Sequence, residues 1–382
     1  MKILQVHNSY QNLTGDDSVV EEEFKLLSQN GHQVKQFIKQ NKSLGQASLL
    51  DKFKIAASLR SSNKVKVQLI KTFEQFHPDI VHVHNIFPLI TPVIFEVCNE
   101  LKIPVVQTLH NYRLLCINTL FYRNGEICEE CQVGNNRAGV KYNCYNNSRI
   151  QSLLMQDVID FHFKAGTWKN SIDKFICLSD FAKKKFIEGG LPDSKLVVKP
   201  NFVGSSERRI TYEDFFLYSG KLEEQKGLND FLCLAERMPN MKFKVVGFCA
   251  NPESLLKRKN IHYLGEVPRE SVLELMSQCR AILFLSKMYE GMPMTIIEAF
   301  ANKKAVIARD LGAMKEMIEH NKCGLLFSSF EELCSHVSTL SNEDIAKEQG
   351  KYAFREYQDN YTSEIALNRL IEIYSSVVEN YE

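Results

Sequence analysis

The sequence predicts an α/β protein built from two Rossmann-like domains. A chain of 382 residues is too long for one ordinary hydrophobic core, and typical domain sizes favour two. Short β-branched runs alternate with helical stretches, which is typical of parallel sheets. This alternation occurs once in each half of the chain, so each half is expected to form its own sheet.

The first half contains five short apolar runs that predict strands. They cover residues 3–6, 79–83, 104–109, 175–178 and 196–198. The first helix should place Val20, Phe24 and Leu27 on one face, with Asp17 or Ser18 as its N-cap. Gly31 follows the last apolar position and should end this helix.

The second half repeats the plan. Its predicted strands cover residues 215–219, 243–247, 261–264, 281–285 and 305–308. A segment at 200–206 resembles a hinge, and an apolar helical stretch runs from about residue 363 to 378. The sequence therefore predicts a first domain at 1–200 with an insertion at 114–149, a second domain at 201–360, and a final segment at 361–382.

Composition excludes several classes of function. Forty-seven basic and 46 acidic residues give a net charge of +1, so no global field recruits nucleic acid. The apolar runs are far shorter than the roughly 18 to 20 residues that span a bilayer. The N-terminus becomes polar too early for a signal peptide, which favours a cytoplasmic protein. Eleven cysteines, an odd number, fit reduced thiols better than a disulfide framework.

Two glutamates lie eight residues apart around a predicted turn. The turn follows the strand at 281–285 and contains Gly291 and Pro293, so a helix should begin near Met294 with Pro293 at its first position. Glu290 then lies in the loop and Glu298 lies about one turn inside the helix. Free N–H groups at such a helix start bind phosphate well.

A second motif contains two lysines. Gly220 follows the strand at 215–219, Lys221 comes directly after it, and Lys226 lies five residues further along the chain. Ligands of open α/β sheets bind at the carboxyl edge of the strands, where two ammonium groups suit a diphosphate. Each motif alone also fits ordinary solvated side chains, but together they suit a ligand that carries both a diphosphate and sugar hydroxyls.

These motifs resemble the E-x7-E and Gly-Arg…Lys-Gly signatures of family-four glycosyltransferases over nearly the whole chain. The resemblance implies the GT-B fold, in which two Rossmann-like domains face a cleft and a C-terminal helix crosses back to the first domain. Lys226 would hold the donor diphosphate, with Lys221 in place of the family's arginine and without its bidentate geometry. Glu290 would bind sugar hydroxyls and Glu298 the ribose. The other implied donor contacts are Gly15, Gly247, Gly291, Met292, Pro293, Met294 and Thr295.

The first domain should meet the acceptor. His84 and His110 each follow a buried strand, and His110 resembles the histidine that many family members place beside the transferred sugar. A satisfied structural histidine is the alternative for both. Gly15 lies in the position of the family's glycine-rich loop, and Thr14 stands where a second glycine is common.

The resemblance implies a retaining hexosyltransferase that needs no metal for catalysis. His110, Glu290 and Lys226 are the predicted catalytic residues, and UDP is favoured over GDP as the donor nucleotide. The acceptor would be a glycan or a lipid-linked glycan in lipopolysaccharide or capsule assembly. The alternatives are a nucleotide-sugar epimerase of the same fold and a catalytically silent binding or scaffolding partner of a polysaccharide assembly complex.

Four cysteines follow His110 in a polar segment with a C-x2-C pair at its centre. Four thiolates can hold a structural zinc in a segment that cannot build its own core. The outer two do not form a second pair, so reduced structural thiols are the alternative. The predicted ligands are Cys116, Cys128, Cys131 and Cys144.

Residues 51–71 carry six basic side chains against one aspartate, interleaved with apolar residues. This pattern suits peripheral contact with the anionic face of the inner membrane. A solvated amphipathic helix explains the same pattern.

Overall fold

The computed structural model describes residues 1–10, 15–41, 58–132, 137–205 and 208–381. The chain divides into two compact units. The first comprises Met1–Thr119, Glu129–Pro200 and Ala366–Glu382, and the second comprises Leu120–Cys128 and Asn201–Ile365. Thr14 and the first part of the basic segment, residues 51–57, lie outside the described residues.

The first unit contains a parallel sheet of six strands in the order β2-β1-β3-β4-β7-β8. These strands are β1 Lys2–Ser9, β2 Gln33–Gln40, β3 Ile80–Val83, β4 Val105–Leu109, β7 Lys174–Cys177 and β8 Leu196–Val198. Its helices are α1 Gly15–Gln29, α2 Asn63–Phe76, α3 Val93–Leu101, α4 Ala138–Lys141, α5 Arg149–Lys164, α6 Thr167–Asn170 and α7 Asp180–Glu188. The five strands predicted for this half are present, and β2 is an additional, partly exposed edge strand.

Helix α1 differs from the prediction at its start. It begins at Gly15, so Asp17 and Ser18 lie inside its first turn and the N-cap prediction was wrong. Asp17 instead accepts a hydrogen bond from His7 Nε2 at 2.9 Å. The buried carboxylate therefore links α1 to β1 and does not cap the helix. Gly31 follows the helix with φ of 83°, as expected for a glycine stop.

The second unit repeats the architecture with the strand order β11-β10-β9-β12-β13-β14. The strands are β9 Phe216–Ser219, β10 Phe243–Val246, β11 Ile261–Tyr263, β12 Ala281–Phe284, β13 Val306–Arg309 and β14 Gly324–Phe327. Its helices are α8 Leu228–Arg237, α9 Glu253–Leu256, α10 Arg269–Gln278, α11 Met294–Ala301, α12 Ala313–Met317, α13 Phe330–Ser341 and α14 Glu343–Asn360. A short antiparallel hairpin, β5 Tyr122–Arg123 with β6 Glu126–Ile127, also belongs to this unit. The prediction of two Rossmann-like domains is confirmed.

The last helix, α15 Ser363–Val378, joins the first unit from Ala366 onward. Leu370, Tyr374 and Val377 are buried in one cluster with residues of β1, β3 and β4. The C-terminal helix therefore returns to the first unit because its apolar face completes the core on one side of that sheet.

Helix α2 contains the second part of the basic segment. Val65, Leu69 and Phe73 are buried, whereas Val67 is exposed. The Lys66 ammonium lies 2.6 Å from Glu96 and 2.7 Å from Glu100, so this cation is already paired. Within the described ranges, no helix is both long enough and apolar enough to cross a membrane.

Candidate functional site

The two glutamate and lysine motifs of the second unit meet at one edge of its sheet. Strand β9 lies beside β12 and runs parallel to it, so the segments that follow the two strands leave the sheet at the same edge. The lysine motif follows β9, and the first glutamate follows β12. The fold thus brings together side chains that are far apart in the sequence.

Lys226 and Glu290 are in direct contact. The Lys226 ammonium lies 2.7 Å from Glu290 Oε1, and Ser286 Oγ donates to the same oxygen at 2.7 Å. Lys226 ends a short 3-10 turn, and its carbonyl accepts a hydrogen bond from the Tyr218 hydroxyl at 2.9 Å. Gly227 follows with φ of 89°, and a Cβ there would lie 2.2 Å from the Leu285 carbonyl oxygen. Glycine therefore lets the lysine turn pack closely on β12.

Lys221 differs from Lys226 in its surroundings. It is exposed on the turn after Gly220, whereas Lys226 is partly buried against Glu290. Only Lys226 of the two predicted lysines is thus fixed next to a predicted site carboxylate.

Helix α11 begins at Met294, as predicted. Pro293 is the N-cap with ψ of 116°, so its predicted place as the first helical residue was wrong by one position. The extended conformation of Pro293 turns the chain from the loop into the helix. Gly291 and Thr295 are partly exposed, whereas Met292 is buried, and its carbonyl accepts a hydrogen bond from Asn201 Nδ2 at 3.4 Å. This contact ties the loop to the segment at the start of the unit.

Glu298 is oriented by an arginine that the sequence did not indicate. Arg269, the first residue of α10, donates from Nε and Nη2 to Glu298 Oε1 at 3.0 and 2.8 Å. Burial raises the pKa of Glu298, and the Arg269 guanidinium opposes that shift. The other carboxylate oxygen, Oε2, takes no part in this pairing with Arg269.

Gly247 lies at the carboxyl edge of the sheet, where its backbone packs against Gly220 and Gly265. It follows β10 with φ of 132°, and its N–H donates to the Gly265 carbonyl at 2.8 Å. A Cβ at Gly247 would lie 1.8 Å from the Gly220 carbonyl oxygen. The predicted position of Gly247 beside the lysine turn therefore depends on the absence of a side chain.

A second charged network lies beside the Lys226 turn and was not predicted. The Lys287 ammonium lies 2.8 Å from Glu224 and 3.0 Å from Asp230, and Arg309 also pairs with Asp230. Burial, and then the nearby Glu224 carboxylate, raises the pKa of Tyr122 from the β5–β6 hairpin. Residues 120–128 were expected in an insertion of the first domain, but they pack on this network in the second unit.

The hairpin also contacts the glutamate loop. Phe121 is fully buried, and its ring centre lies 5.7 Å from that of Tyr289, the residue before Glu290. Sequence reasoning could not assign this contact because nothing in the local pattern of residues 120–128 indicates a partner about 160 residues away.

In the first unit, the predicted histidines end two neighbouring strands. His84 follows β3 and His110 follows β4, and His84 Nδ1 lies 2.9 Å from His110 Nε2. Both side chains are buried, and both line a pocket that also contains Asn111 and Arg113. The two rings stack with centres 5.2 Å apart. The fold therefore joins the two predicted histidines into one pair.

A buried ion pair lies beside these histidines. Glu23 of α1 accepts a hydrogen bond from the Lys199 ammonium at 2.6 Å, and both side chains are 1% exposed. Burial disfavours the ionised form of Glu23, but the charge of Lys199 and the hydrogen bond from its ammonium hold the pKa of Glu23 below the usual value. Sequence reasoning missed Glu23, although its position between Val20 and Leu27 on the inward face of α1 was a usable signal.

Burial keeps the imidazoles of this cluster neutral. It lowers the pKa of His82 to about 4, lowers that of His84 well below its ordinary value and lowers that of His110. His82 Nε2 lies 2.8 Å from Thr108 Oγ1, and its Nδ1 lies 2.7 Å from the Tyr374 hydroxyl of α15. The C-terminal helix thus contributes a hydrogen bond to the histidine cluster.

Gly15 is the exposed first residue of α1. The next two residues, Asp16 and Asp17, place two carboxylates in the first turn of the helix. Carboxylates there favour the helix but also compete with a bound phosphate for its N–H groups. The contact predicted between Gly15 and the donor stays a prediction.

Of the four predicted zinc ligands, Cys116 is buried and the other three are partly buried. The Cys116 thiol donates to Asn118 Oδ1 at 2.9 Å. Cys128 belongs to the second unit, whereas the other three belong to the first. Among the residues that the structure describes, the group whose ligand atoms lie within 4.8 Å of one another is instead Glu23, His82 and His84. Zinc at Cys116, Cys128, Cys131 and Cys144 stays a prediction.

Two family models match the chain. The model described as Glycosyltransferase Family 4 matches residues 18–207, and the one described as Glycosyl transferases group 1 matches residues 205–356. The chain is 24% identical over 232 residues to alpha-galactosylglucosyldiacylglycerol synthase of Streptococcus pneumoniae, covering 52% of this chain and 61% of that protein. It is 27% identical over 241 residues to the O-antigen biosynthesis glycosyltransferase WbnH of Escherichia coli, covering 57% and 65%. The matches thus span under two thirds of either relative.

Solved structures share the fold over nearly the whole chain. Anabaena HepE in complex with UDP superposes with a TM-score of 0.68 at 16% identity, covering 98% of this chain and 100% of that one. The lipopolysaccharide outer core galactosyltransferase WaaB gives a TM-score of 0.67 at 14% identity with the same coverage. At these identities the likeness establishes the fold.

Proposed function

Since the chain belongs to glycosyltransferase family 4 and has the GT-B fold, we propose that it moves a hexose-type sugar from a nucleotide diphosphate to an acceptor hydroxyl with retention of anomeric configuration. The proposed acceptor is a glycan or a lipid-linked glycan of surface polysaccharide synthesis. Relatives named for O-antigen and glycolipid synthesis support this acceptor class. Structures of HepE with UDP and UDP-glucose support UDP over GDP. A lipid-linked acceptor would place the reaction at the cytoplasmic face of the inner membrane.

The observation that carries this proposal is the contact between Lys226 and Glu290 ahead of helix α11. An ammonium, a carboxylate and the N-terminus of a helix meet at the carboxyl edge of one sheet. The ammonium and the helix N–H groups suit a diphosphate, and the carboxylate suits sugar hydroxyls. A nucleotide sugar presents both kinds of group within one molecule.

Each predicted site residue of the second unit then has a distinct role. Lys226 stabilises the leaving diphosphate, and backbone groups between Gly291 and Thr295 hold the phosphate and sugar. Glu298 accepts hydrogen bonds from the ribose through the oxygen that Arg269 leaves available. Lys221 approaches the phosphates as a mobile point charge, and Gly247 borders the base.

The proposed reaction is a front-face displacement. The bond between the anomeric carbon and the diphosphate oxygen breaks as the acceptor oxygen forms its bond to the same carbon. The acceptor proton passes to the departing phosphate oxygen, so no protein base is required. The protein positions the substrates and stabilises charge on the diphosphate. Because Lys226 and the helix N-terminus supply that stabilisation, the proposal requires no divalent metal for catalysis.

Thermal unfolding with UDP, GDP, ADP or CMP, with and without EDTA, tests the donor site. Ligand at about one hundred times its Kd stabilises a protein by roughly 2.7 kcal/mol. We expect UDP to stabilise the wild type regardless of EDTA and to have little effect on Lys226→Met. The control is Lys242→Met, because Lys242 is an exposed lysine of the same unit that pairs with Asp214 at 3.1 Å.

Two further outcomes separate the alternatives. Stabilisation by no nucleotide would contradict the donor site and favour a silent scaffolding partner. Conversion of a UDP-hexose into its epimer without acceptor, followed by proton NMR, would favour an epimerase. Transfer of the sugar only when a glycan acceptor is present supports the proposed reaction.

A further inference from the structure

His110 has two ring nitrogens in different surroundings. Its Nε2 lies 2.9 Å from His84 Nδ1, whereas its Nδ1 is buried and has no hydrogen-bond partner among the described residues. Both rings are neutral because burial lowers the pKa of each. One nitrogen of the pair must therefore donate and the other accept. The direction of this one bond decides whether His110 Nδ1 carries a proton or a lone pair.

Glu23 biases that direction through His84. Its Oε1 is held by Lys199, and its Oε2 is buried without a hydrogen-bond partner and lies 3.7 Å from His84 Nε2. This separation is too long for a hydrogen bond but short enough for strong electrostatic attraction or repulsion in a buried site. A proton on His84 Nε2 is attracted to the carboxylate, and a lone pair there is repelled. His84 therefore carries its proton on Nε2 and its lone pair on Nδ1.

Two other charged groups act on this pair: the Lys199 ammonium acts on both imidazoles, and the Asp16 carboxylate acts on His110. Neither is within hydrogen-bond distance of His84 Nε2 or His110 Nδ1. The neighbouring histidine rings are held by other partners. His82 is held by Thr108 and Tyr374, although its Nδ1 also lies 3.6 Å from Glu23. His7 lies edge-on to His84 with ring centres 6.1 Å apart, and its own Nε2 binds Asp17. Glu23 is thus the group that faces His84 Nε2.

We propose that Glu23 is a positioning residue that acts through His84 to hold His110 in the tautomer protonated on Nε2. His110 Nε2 donates to His84 Nδ1, and His110 Nδ1 presents a lone pair. His110 then accepts a hydrogen bond from a substrate hydroxyl and does not donate a proton. The substrate part of this inference rests on the proposed transferase function, but the tautomer does not.

Nitrogen NMR of protein labelled with 15N-histidine tests the tautomer directly. Two-bond proton correlations distinguish the protonated nitrogen from the bare one, and loss of signals in His110→Gln assigns the ring. We expect His110 to be protonated on Nε2 in the wild type. A His110 protonated on Nδ1 would overturn the proposal without the need for any variant of Glu23.

The role of Glu23 is tested in the double variant E23Q/K199M. Glu23→Gln alone would leave a buried, uncompensated ammonium, which commonly unfolds a protein, whereas the double variant removes both charges. We expect His110 to become a mixture of tautomers in this variant. His162 is an internal control, because its Nε2 lies 2.9 Å from the Arg60 carbonyl and must stay protonated. An unchanged His110 beside an unchanged His162 would show that Glu23 does not set the tautomer.

Kinetics separate positioning from a merely structural role. In E23Q/K199M we expect kcat to fall in proportion to the fraction of His110 that stays protonated on Nε2, about twofold for an even mixture, while KM for the donor stays constant, because the second unit is untouched. An unaltered kcat would overturn the positioning role. If the wild type transfers no sugar at all, the proposed function fails, whereas the NMR result on His110 and Glu23 still stands or falls by itself.

Discussion

The Lys226 ammonium lies 2.7 Å from Glu290 Oε1, although 64 residues separate the two in the chain. The side chains are 29% and 11% exposed, so neither charge is fully hydrated. A charge pair in such surroundings is sensitive to the loss of either partner, because the remaining charge loses its compensation. The contact therefore links the two sequence motifs physically.

Neutralising either partner should impair transfer. We expect Glu290→Gln and Lys226→Met each to reduce kcat/KM by at least about tenfold, which corresponds to roughly 1.4 kcal/mol of transition-state stabilisation. The reason is that one removes a sugar contact and the other removes positive charge at the diphosphate. Initial rates of UDP release with acceptor present measure the effect.

The exposed pair of Lys242 and Asp214 provides the control for these variants. Lys242→Met should keep wild-type rates, because surface pairs contribute little to stability and Lys242 precedes β10, at the opposite edge of the sheet from the glutamate loop. Near-normal turnover of both Glu290→Gln and Lys226→Met would refute the assignment of the donor site.

The sequence was sufficient for features that depend on local patterns. A buried strand such as β12 consists of a continuous apolar run, and Pro293 indicated the start of α11 to within one residue. The edge strand β2 was missed because it is partly exposed and polar residues interrupt its apolar ones. Strand β14 was missed because it begins at a glycine, a residue depleted in strands, and contains no β-branched residue.

Partners brought together by the fold could not be predicted in the same way. The pairing of Glu23 with Lys199 joins residues 176 positions apart, and that of Arg269 with Glu298 joins two helices. Neither Lys199 nor Arg269 forms a motif with its neighbours in the sequence. The E-x7-E pattern was found because its spacing follows from one strand, one turn and one helix.

A side chain at Gly247 should disrupt the donor edge. The backbone has φ of 132°, and a Cβ would lie 1.8 Å from the Gly220 carbonyl oxygen. We expect Gly247→Ala to cost at least about 3 kcal/mol and to abolish stabilisation by UDP. Gly265→Ala is the matched control, because φ there is 70° and the space is open, so it should cost about 1 kcal/mol. Calorimetry of both variants makes the comparison, and equal losses would contradict the steric argument.

Elemental analysis tests directly whether the four cysteines bind zinc. If Cys116, Cys128, Cys131 and Cys144 bind the metal, protein purified without chelators should contain about one zinc per chain by elemental analysis. Cys131→Ser should lower that content, whereas Cys233→Ser should not, because Cys233 is an exposed cysteine outside the predicted set. Less than about one-tenth zinc per chain in the wild type would end the zinc hypothesis.

The stability of the first unit should fall as the pH is lowered below neutrality. Burial lowers the pKa of His82 from 6.5 to about 4, so the unfolded chain takes up a proton at a higher pH than the folded one. His82 therefore contributes stability that is present above pH 6.5 and is lost as the pH falls toward 4. From pH 7 to pH 5 the loss from this residue is about 2 kcal/mol.

His82→Gln tests this contribution. The variant should be less stable at pH 7, because Gln cannot reproduce both the Thr108 and the Tyr374 contacts. Its further loss between pH 7 and pH 5 should nevertheless be smaller than that of the wild type by about 2 kcal/mol, since residue 82 no longer titrates. Trp168, the single tryptophan, is buried in the first unit, so its fluorescence during urea unfolding reports on that unit. Equal pH-dependent losses in the two proteins would show that His82 is not the residue responsible.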